Sequence, residues 1–252
     1  MKTSIFIPVR LQSERLPKKA LKKIDNKPMI QYLIERLQKI KKIDNIVICT
    51  TEDSSDDELV KFLEKNNFVY FRGSKNDILD RFLKTAQKFK TDFIIAVDGD
   101  DIYSDPICIE KIISEHKKSK ADCFQITGVP VGFTPIGFKT TTLKNICSLK
   151  NTSDTETGYG RFFFNEKLFK IQKIPIKLKI SFPKDLRMSL DYDADFKVAK
   201  KNFKKFGNDF NIEDILTFLT ENPKILTELI ELQIKWNQHW NKNLSDTSIR
   251  DM

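Results

Sequence analysis

Short apolar runs alternate with amphipathic stretches along the first part of the chain. Four runs have the length of buried strands, at residues 5–9, 46–49, 69–71 and 93–97. The stretches between them repeat apolar positions at helical spacing, at residues 28–37, 56–66 and 77–89. Pro28 is expected at the first position of its helix, where a missing N–H costs nothing. This alternation predicts parallel β-α-β units, and therefore an α/β fold with a doubly wound, mostly parallel sheet.

The remainder of the chain is less regular. Strand composition recurs at residues 124–127, 136–138, 168–174 and 187–190. Residues 150–160 are polar and rich in turn formers, which predicts a loop or lid. Closing helices are expected at residues 194–206, 212–221 and 223–240, the second of them behind an Asn211 cap. We find no repeat or linker, so we expect one domain with a small inserted flap and a flexible tail, at residues 1–240, about 128–185 and 241–252 respectively.

The charge balance does not by itself identify a partner. The sequence has 44 Lys and Arg against 35 Asp and Glu, but its basic residues are mostly lysines spread through every predicted helix. Nucleic-acid-binding proteins tend to cluster these residues on one face, and their motifs are absent, so we expect no nucleic acid partner. A net charge of +9 suits a polyanionic small ligand such as a triphosphate.

Several other classes of protein are excluded by pattern. No stretch reaches the roughly 18 apolar residues of a membrane span, and the apolar run near Met1 is too short for a secretory signal. The four cysteines form no C-x-x-C pair, which argues against zinc and redox motifs, and free thiols suit a reducing compartment. His116 and His239 neighbour no candidate nucleophile, so Ser-His-Asp chemistry is not expected. We predict a cytoplasmic protein without membrane contact.

A strongly basic loop follows the first predicted strand. Open α/β sheets bind ligands at the carboxyl ends of their strands, and this loop carries Arg10, Ser13, Arg15, Lys18 and Lys19. Its cations and backbone N–H groups suit the oxygens of a triphosphate. The loop is not a P-loop, because G-x-x-x-x-G-K-[ST] is absent. On composition alone, a solvated basic loop is an equally open interpretation.

Two acidic segments follow strand candidates elsewhere in the chain. Asp98, Asp100 and Asp101 come directly after the fourth strand, and Asp191 ends the last strand candidate. Crowded carboxylates are commonly held by a cation, and Mg²⁺ binds one or two protein carboxylates together with substrate phosphates. We therefore predict one magnesium–triphosphate site shared by the two segments. An acidic turn without a metal stays open, as does the short D-x-D pattern of sugar-nucleotide glycosyltransferases that Asp98 and Asp100 form.

A third segment of interest follows the third predicted strand. Arg72, Gly73 and Ser74 lie there, and the glycine and serine suit a loop that a ligand approaches closely. Arg81 lies near the start of the next helix. It could hydrogen-bond a nucleotide base or pair with Asp77 four residues earlier, and composition does not choose between these two roles.

Taken together, these segments resemble the opening and the acidic segments of the CMP-sugar synthetases. The likeness is carried by Ile7-Pro8-Val9-Arg10, Ser13, Arg15-Leu16-Pro17-Lys18-Lys19 and Asn26-Lys27-Pro28-Met29-Ile30, and it continues at residues 71–74, 80–81, 99–100, 187–195 and 210–215. The chain is most similar to the 3-deoxy-manno-octulosonate cytidylyltransferases and the spore-coat polysaccharide biosynthesis protein F group.

The resemblance implies a nucleotide-diphospho-sugar transferase fold of the glycosyltransferase-A type. It also implies transfer of CMP from CTP to a hydroxyl or phosphate of a small, acidic, sugar-like acceptor, with release of pyrophosphate, in the synthesis of surface-polysaccharide precursors. Mg²⁺ would be the cofactor, held by Asp100 and Asp191, and the protein would be a homodimer. By position, the residues that match catalytic groups are Lys19, Arg15 and Asp100, and those that match nucleotide-binding groups are Arg10, Ser13, Arg15, Lys19, Arg72, Ser74, Arg81 and Asp98.

Three features depart from the family pattern. The glycine that usually precedes the loop lysine is Lys18 here, the glutamate that commonly follows Gly-Asp is Asp101, and residues 150–161 do not match the expected sugar-binding motifs. The acceptor is therefore left undefined. Three alternatives are a sugar-1-phosphate nucleotidylyltransferase using another nucleoside triphosphate, a D-x-D glycosyltransferase and a non-catalytic binding protein. The basic loop argues against a glycosyltransferase, which has no triphosphate to hold, and two acidic segments argue against a simple binding protein.

Overall fold

A seven-stranded sheet runs through the centre of the molecule, of which a computed structural model describes residues 1–244. The strands along the chain are β1 (Thr3–Pro8), β2 (Lys23–Ile24), β3 (Lys27–Pro28), β4 (Asn45–Thr51), β5 (Tyr70–Gly73), β6 (Phe93–Ala96), β7 (Cys123–Thr127), β8 (Ile136–Lys139) and β9 (Ile171–Pro175). The sheet has the order β5-β4-β1-β6-β8-β7-β9, while β2 and β3 form a separate antiparallel pair. Only β8 runs antiparallel to its neighbours in the large sheet, so the predicted mostly parallel sheet is confirmed.

Helices cover both faces of this sheet. They are α1 (Met29–Leu37), α2 (Asp57–Lys65), α3 (Ile78–Phe89), α4 (Pro106–Lys118), α5 (Thr140–Leu149), α6 (Asp193–Phe206), α7 (Ile212–Glu221) and α8 (Pro223–Asn243). Side chains alternate between faces along a strand: Ile5 and Ile7 pack into one buried cluster, and Phe6 between them packs into another. Strands buried on both faces explain why the predicted strands are continuously apolar. None of the helices in residues 1–244 combines the length and the apolar character needed to cross a membrane.

One predicted strand, at residues 187–190, is wrong. The backbone of this segment divides its hydrogen bonds between two elements, because Met188 N donates to Val131 O (2.7 Å) and Leu190 N donates to Asp100 O (2.8 Å). A ladder needs consecutive bonds to one partner, and only an isolated bridge forms, between Arg187 and Val131. The same arrangement nevertheless brings the end of this segment against the acidic turn after β6.

Two helix boundaries and one whole helix differ from the expectation. Pro28 precedes α1 instead of opening it, because its ψ of 150° keeps it extended and it pairs with Lys23 in the β2–β3 hairpin. Helix α5 was not predicted from the sequence. Helix α8 continues to Asn243, past the expected end near Trp240. The first residues of the predicted flexible tail are thus helical, and residues 245–252 lie outside the described part of the chain.

The segment assigned to a flap contributes two strands to the central sheet. Residues 128–185 include β8, which lies between β6 and β7, and β9, which pairs with β7 at the sheet edge. The stretch from 150 to 158 is irregular, and it is followed by a 3-10 helix at Tyr159–Phe164. The irregular stretch reaches back to the start of α3, so it forms part of the wall around the strand ends.

Candidate active site

The carboxyl ends of β1 and β6 bring the basic loop and the first acidic segment side by side. Gly99 N donates to Pro8 O at 3.2 Å. A Cβ on Gly99 would lie 2.5 Å from Val9 Cγ2 and 2.9 Å from Pro8 O, so only glycine allows this approach. The acidic turn therefore lies directly against the first residues of the basic loop.

Lys19 lies at the centre of the charged cluster. Its ammonium contacts the carboxylate of Asp100 and donates to Oδ1 of Asp191 at 3.0 Å. Arg15 Nη2 donates to the same Oδ1 at 2.5 Å. The structure thus confirms that the basic loop and the two acidic segments meet, although residues 19 and 191 are 172 positions apart.

Burial makes these ion pairs matter electrostatically. The side chains of Lys19 and Asp191 are 16% and 3% exposed. Burial alone would lower the pKa of Lys19, but the charges of Asp100 and Asp191 outweigh it and raise that pKa above its usual value. Burial would likewise raise the pKa of Asp191, yet Lys19, Arg15 and Arg187 hold it well below the ordinary range. Both groups therefore stay charged at neutral pH.

The other oxygen of Asp191 is held by a separate set of donors. Oδ2 accepts hydrogen bonds from Arg187 Nη1 (3.1 Å), Ser189 Oγ (3.0 Å) and Trp236 Nε1 (2.9 Å). Arg187 also donates to both oxygens of Asp195, at 3.0 and 3.1 Å. Asp195 in turn accepts from the backbone N–H of Asp191 at 2.8 Å. This network fixes the position of the Asp191 carboxylate at the edge of the cluster.

Asp98 lies outside this network and has a different hydrogen-bond partner. Tyr159 donates its hydroxyl proton to Asp98 Oδ1 at 2.6 Å. Burial, reinforced by the charge of Asp100, raises the pKa of Asp98 to about 7. Burial raises the pKa of Asp101 well above its usual value, and the charges of Asp98, Asp100 and Asp191 add to this effect. Such mutual repulsion among carboxylates is the condition that an added cation relieves.

The basic loop is shaped by its own residues. Ser13 Oγ accepts from Leu16 N at 3.3 Å, which makes Ser13 a turn former in this arrangement. Lys18 has a φ of 53°, in the left-handed region. This region costs a non-glycine residue about 1–2 kcal/mol, which explains why glycine is the usual residue at this position. Lys18 itself points to exposed Glu58, at 2.5 Å.

Arg10 and Arg81 meet through one carboxylate that the sequence did not indicate. Glu156 accepts from Arg81 Nη2 at 2.5 Å and lies 3.2 Å from Arg10 Nε. Arg81 is only 1% exposed, and it also donates to the main-chain oxygens of Ser74 (2.8 Å) and Cys49 (3.3 Å). Arg81, in α3, is therefore part of the wall that joins the basic loop to the irregular segment.

Of the two roles that the sequence left open for Arg81, the pairing with the Asp77 side chain is not the one that the structure shows. The Asp77 carboxylate instead caps α3 by accepting from Asp80 N at 3.1 Å, and it forms an ion pair with Lys150. Ser74 Oγ accepts from Asp77 N at 3.2 Å. The polar side chains at the start of α3 are thus engaged with the helix terminus and the irregular segment.

Arg72 lies on the outer side of this region. Its Nε and Nη2 donate to the main-chain oxygens of Thr51 (2.8 Å) and Asp53 (2.9 Å). Its Nη1 lies 2.8 Å from Asp57 Oδ1. The structure therefore places Arg72 with the β4–α2 connection, whereas Lys19 and Arg15 lie with the aspartates.

The donor set around Lys19 fits a magnesium ion. Within residues 1–244, no three or more His, Cys, Asp or Glu side chains are grouped so that they could hold a metal. Asp100 and Asp191, however, face one positive charge, the Lys19 ammonium. Mg²⁺ usually takes only one or two carboxylates from a protein and completes its shell with water and phosphate, so two carboxylates are sufficient.

Sequence reasoning missed four side chains of the site: Glu156, Tyr159, Arg187 and Trp236. The sequence places Arg187 at the start of a strand candidate and of a segment that carries the resemblance, without indicating a role for its side chain. Glu156 and Tyr159 lie in a polar, turn-rich stretch that gives no local signal. Trp236 lies on a helix whose apolar positions indicate packing, and no sequence pattern marks the indole as a partner of a distant aspartate.

The class of fold follows from comparison with a solved structure. The structure superposes on that of a cytidylyltransferase from Leptospira borgpetersenii with a TM-score of 0.80 and 24% sequence identity, over 90% of this chain and 97% of that chain. Similarity at this level shows the fold alone. It confirms the expected nucleotide-diphospho-sugar transferase fold.

The family follows from the sequence. Residues 4–241 match the family described as cytidylyltransferase, so the chain belongs to that family. It is 27% identical over 231 residues to the spore coat polysaccharide biosynthesis protein SpsF of Bacillus subtilis, covering 88% of this chain and 96% of that protein. It is also 35% identical over 125 residues to 3-deoxy-manno-octulosonate cytidylyltransferase 2 of Hydrogenovibrio crunogenus, covering 48% and 50% of the two chains. The resemblance noted in the sequence is confirmed.

Proposed function

We propose that this cytidylyltransferase moves CMP from CTP to a hydroxyl or phosphate of a small, acidic, sugar-like acceptor and releases pyrophosphate. The observation that carries the proposal is the contact of one lysine, Lys19, with Asp100 and Asp191 from two separate acidic segments. The family supports CTP as the donor. The names of the two relatives support a sugar-like acceptor and a role in making surface-polysaccharide precursors.

The proposed reaction is a displacement at the α-phosphorus of CTP. An acceptor oxygen forms the new P–O bond, and the bond to the oxygen that bridges the α- and β-phosphates breaks, so that pyrophosphate leaves with that electron pair. Where the acceptor group is a hydroxyl, its proton passes to water. Arg15 and Lys19 would contact the phosphate oxygens and stabilise the charge that develops there. Positioning of the two reactants in one cleft supplies the remainder of the acceleration.

We also propose that Asp100 and Asp191 hold Mg²⁺ with the nucleotide. When bound, the ion would offset the negative charge of the phosphate oxygens. Its charge would replace the one that Lys19 now presents to both carboxylates. The ammonium could then turn from the aspartates to the phosphates.

The remaining nucleotide-binding assignments are proposals of the same kind. Arg10 and Ser13 lie in the basic loop next to Lys19, and Asp98 lies beside Asp100. Arg72, Ser74 and Arg81 are proposed to line the base region. Arg81 would have to exchange one of its present acceptors for the nucleotide, because its guanidinium already donates to main-chain oxygens and to Glu156. From the resemblance we further propose a cytoplasmic homodimer.

Pyrophosphate release tests this function directly. The chain is mixed with Mg²⁺ and each of CTP, UTP, GTP and ATP, first with 3-deoxy-manno-octulosonate and then with a panel of acidic sugars and phosphorylated small molecules. We expect release with CTP and one class of acceptor. An equal response to all four nucleotides would contradict the cytidine assignment. Turnover of a sugar nucleotide without pyrophosphate would identify a glycosyltransferase instead.

A further inference from the structure

The two oxygens of the Asp191 carboxylate have different partners. Oδ1 faces the cluster, where Lys19 (3.0 Å) and Arg15 (2.5 Å) donate to it. Oδ2 faces away, and it accepts from Arg187, Ser189 and Trp236. The terminal torsion of an aspartate side chain has a broad energy profile. These partners therefore fix the orientation of the carboxylate plane relative to the cleft.

Trp236 differs from the other two donors to Oδ2. Arg187 and Ser189 lie four and two positions before Asp191 on the same segment, and so they move with it. Trp236 comes from α8, 45 positions further along, and its Nε1 lies 2.9 Å from Oδ2. Of these three donors, it alone ties the carboxylate to a separate element of the fold.

Near the carboxyl end of α8, the indole of Trp236 packs against a second tryptophan. Trp236 stacks on Trp240, with ring centroids 4.9 Å apart and an interplanar angle of 19°. Both rings are half-buried. A Cβ on Gly158, in the irregular wall, would lie 3.4 Å from Trp240 Cζ2. The tryptophan pair therefore packs between Asp191 and the segment that carries Tyr159, the partner of Asp98.

We infer that Trp236 is a positioning residue for the nucleotide–metal site: its indole N–H holds Oδ2 of Asp191 so that Oδ1 stays directed at the cation shared with Asp100. The inference rests on the proposed function, in which Asp191 binds Mg²⁺. Hydrogen bonds to metal-binding carboxylates orient them, and their loss typically costs 10–100-fold in metal affinity or activity. The indole N–H fills this role without touching the nucleotide or the metal.

A matched pair of variants tests the inference. Trp236→Phe keeps an aromatic ring on α8 and removes the N–H, while Trp240→Phe makes the same exchange one turn later. CTP binding is measured by calorimetry at increasing Mg²⁺, together with pyrophosphate release and the melting temperature. We expect Trp236→Phe to raise the Mg²⁺ requirement about tenfold and to lower kcat, whereas Trp240→Phe stays within about twofold of the parent. Trp236→His, which retains a ring N–H, should recover part of the loss.

Fluorescence gives a second reading that does not need turnover. The sequence contains two tryptophans, so Trp240→Phe leaves Trp236 as its only indole. Adding Mg²⁺ and CTP to that variant should change its emission, because the carboxylate bonded to the indole acquires a new partner.

The outcomes separate this inference from the proposed function. A Mg²⁺ requirement in Trp236→Phe equal to that of the parent, with or without a lower melting temperature, would overturn the positioning role. An unchanged emission on Mg²⁺ and CTP binding would do the same. A tenfold weaker Mg²⁺-dependent CTP binding in Trp236→Phe supports the inference even if no acceptor ever yields pyrophosphate, in which case only the proposed reaction fails.

Discussion

Removing the Asp100 carboxylate, which contacts Lys19, tests its proposed role as a metal ligand. Asp100 is 24% exposed, and without it Lys19 keeps its ion pair with Asp191, so Asp100→Ala should still fold. The proposed metal would lose one of two carboxylates, and we expect kcat to fall by roughly 10²–10³-fold, the range for losing one stabilising group at a reacting centre. Pyrophosphate release and the melting temperature are the measurements.

Asp209 provides the control for that substitution. Its side chain is 98% exposed and pairs only with Lys39 at the surface, so Asp209→Ala should leave both quantities unchanged. A rate close to that of the parent in Asp100→Ala would remove Asp100 from the metal assignment.

Single residues also show how far the site could be predicted. Lys19, Asp100 and Asp191 were predicted to meet, because each comes after a predicted strand and their charges are complementary, and they do meet although the last of those strands does not form. The partners of Asp98 and Arg81 were not predictable. Tyr159 lies 61 positions from Asp98 at the start of the 3-10 helix, and Glu156 lies 75 positions from Arg81 on the irregular stretch before it. The local sequence pattern indicates where strands end. It does not indicate which loop side chains contact those ends.

At the scale of elements, one of the contacts that attach the irregular wall to α3 is a buried hydroxyl. Thr155 Oγ1 donates to Asp77 Oδ1 at 2.9 Å and accepts from Leu79 N at 3.3 Å. Thr155→Val keeps the shape but leaves these helix-terminal groups without that partner. A buried group left unsatisfied costs about 1–3 kcal/mol, so we expect the free energy of unfolding in urea to fall by that amount.

The exposed residue Thr217 offers a comparison for Thr155. Its hydroxyl donates to the main-chain oxygen of Glu213 within α7, so Thr217→Val should change stability by less than about 0.5 kcal/mol. If the two valine variants unfold at the same urea concentration, the hydroxyl of Thr155 does not anchor the wall.

The elements themselves were predicted unevenly, for physical reasons. Helix α7 begins behind Asn211 as expected, because Asn211 and Asp214 form a capping box that is visible in the sequence. Helix α5 was missed because it starts with three threonines, whose β-branched side chains disfavour a helix. Tertiary packing overrides that preference, since Leu143 and Ile146 are fully buried under β8 and the 3-10 helix.

At the scale of the whole molecule, the fold lowers the reactivity of the cysteine thiols. Cys49, Cys108, Cys123 and Cys147 are all free, and burial raises the pKa of each to about 12. Only the thiolate reacts with alkylating agents. We therefore expect iodoacetamide at pH 8 to label the folded protein at least ~100-fold more slowly than the same protein in guanidinium chloride. Mass spectrometry would follow the labelling, and rapid uptake by the folded chain would contradict it.

The cluster that unites Arg15, Asp191 and Trp236 also bears on how the protein is made. Its parts are spread over almost the whole described chain, from the loop after β1 to the last turns of α8. Synthesis on the ribosome delivers the basic loop early and the indole late. A growing chain therefore lacks the complete cluster until α8 has emerged, and nucleotide would stabilise the fold fully only after that point. A prematurely terminated product lacking α8 would keep every proposed metal and phosphate group and still lack the indole that anchors Asp191.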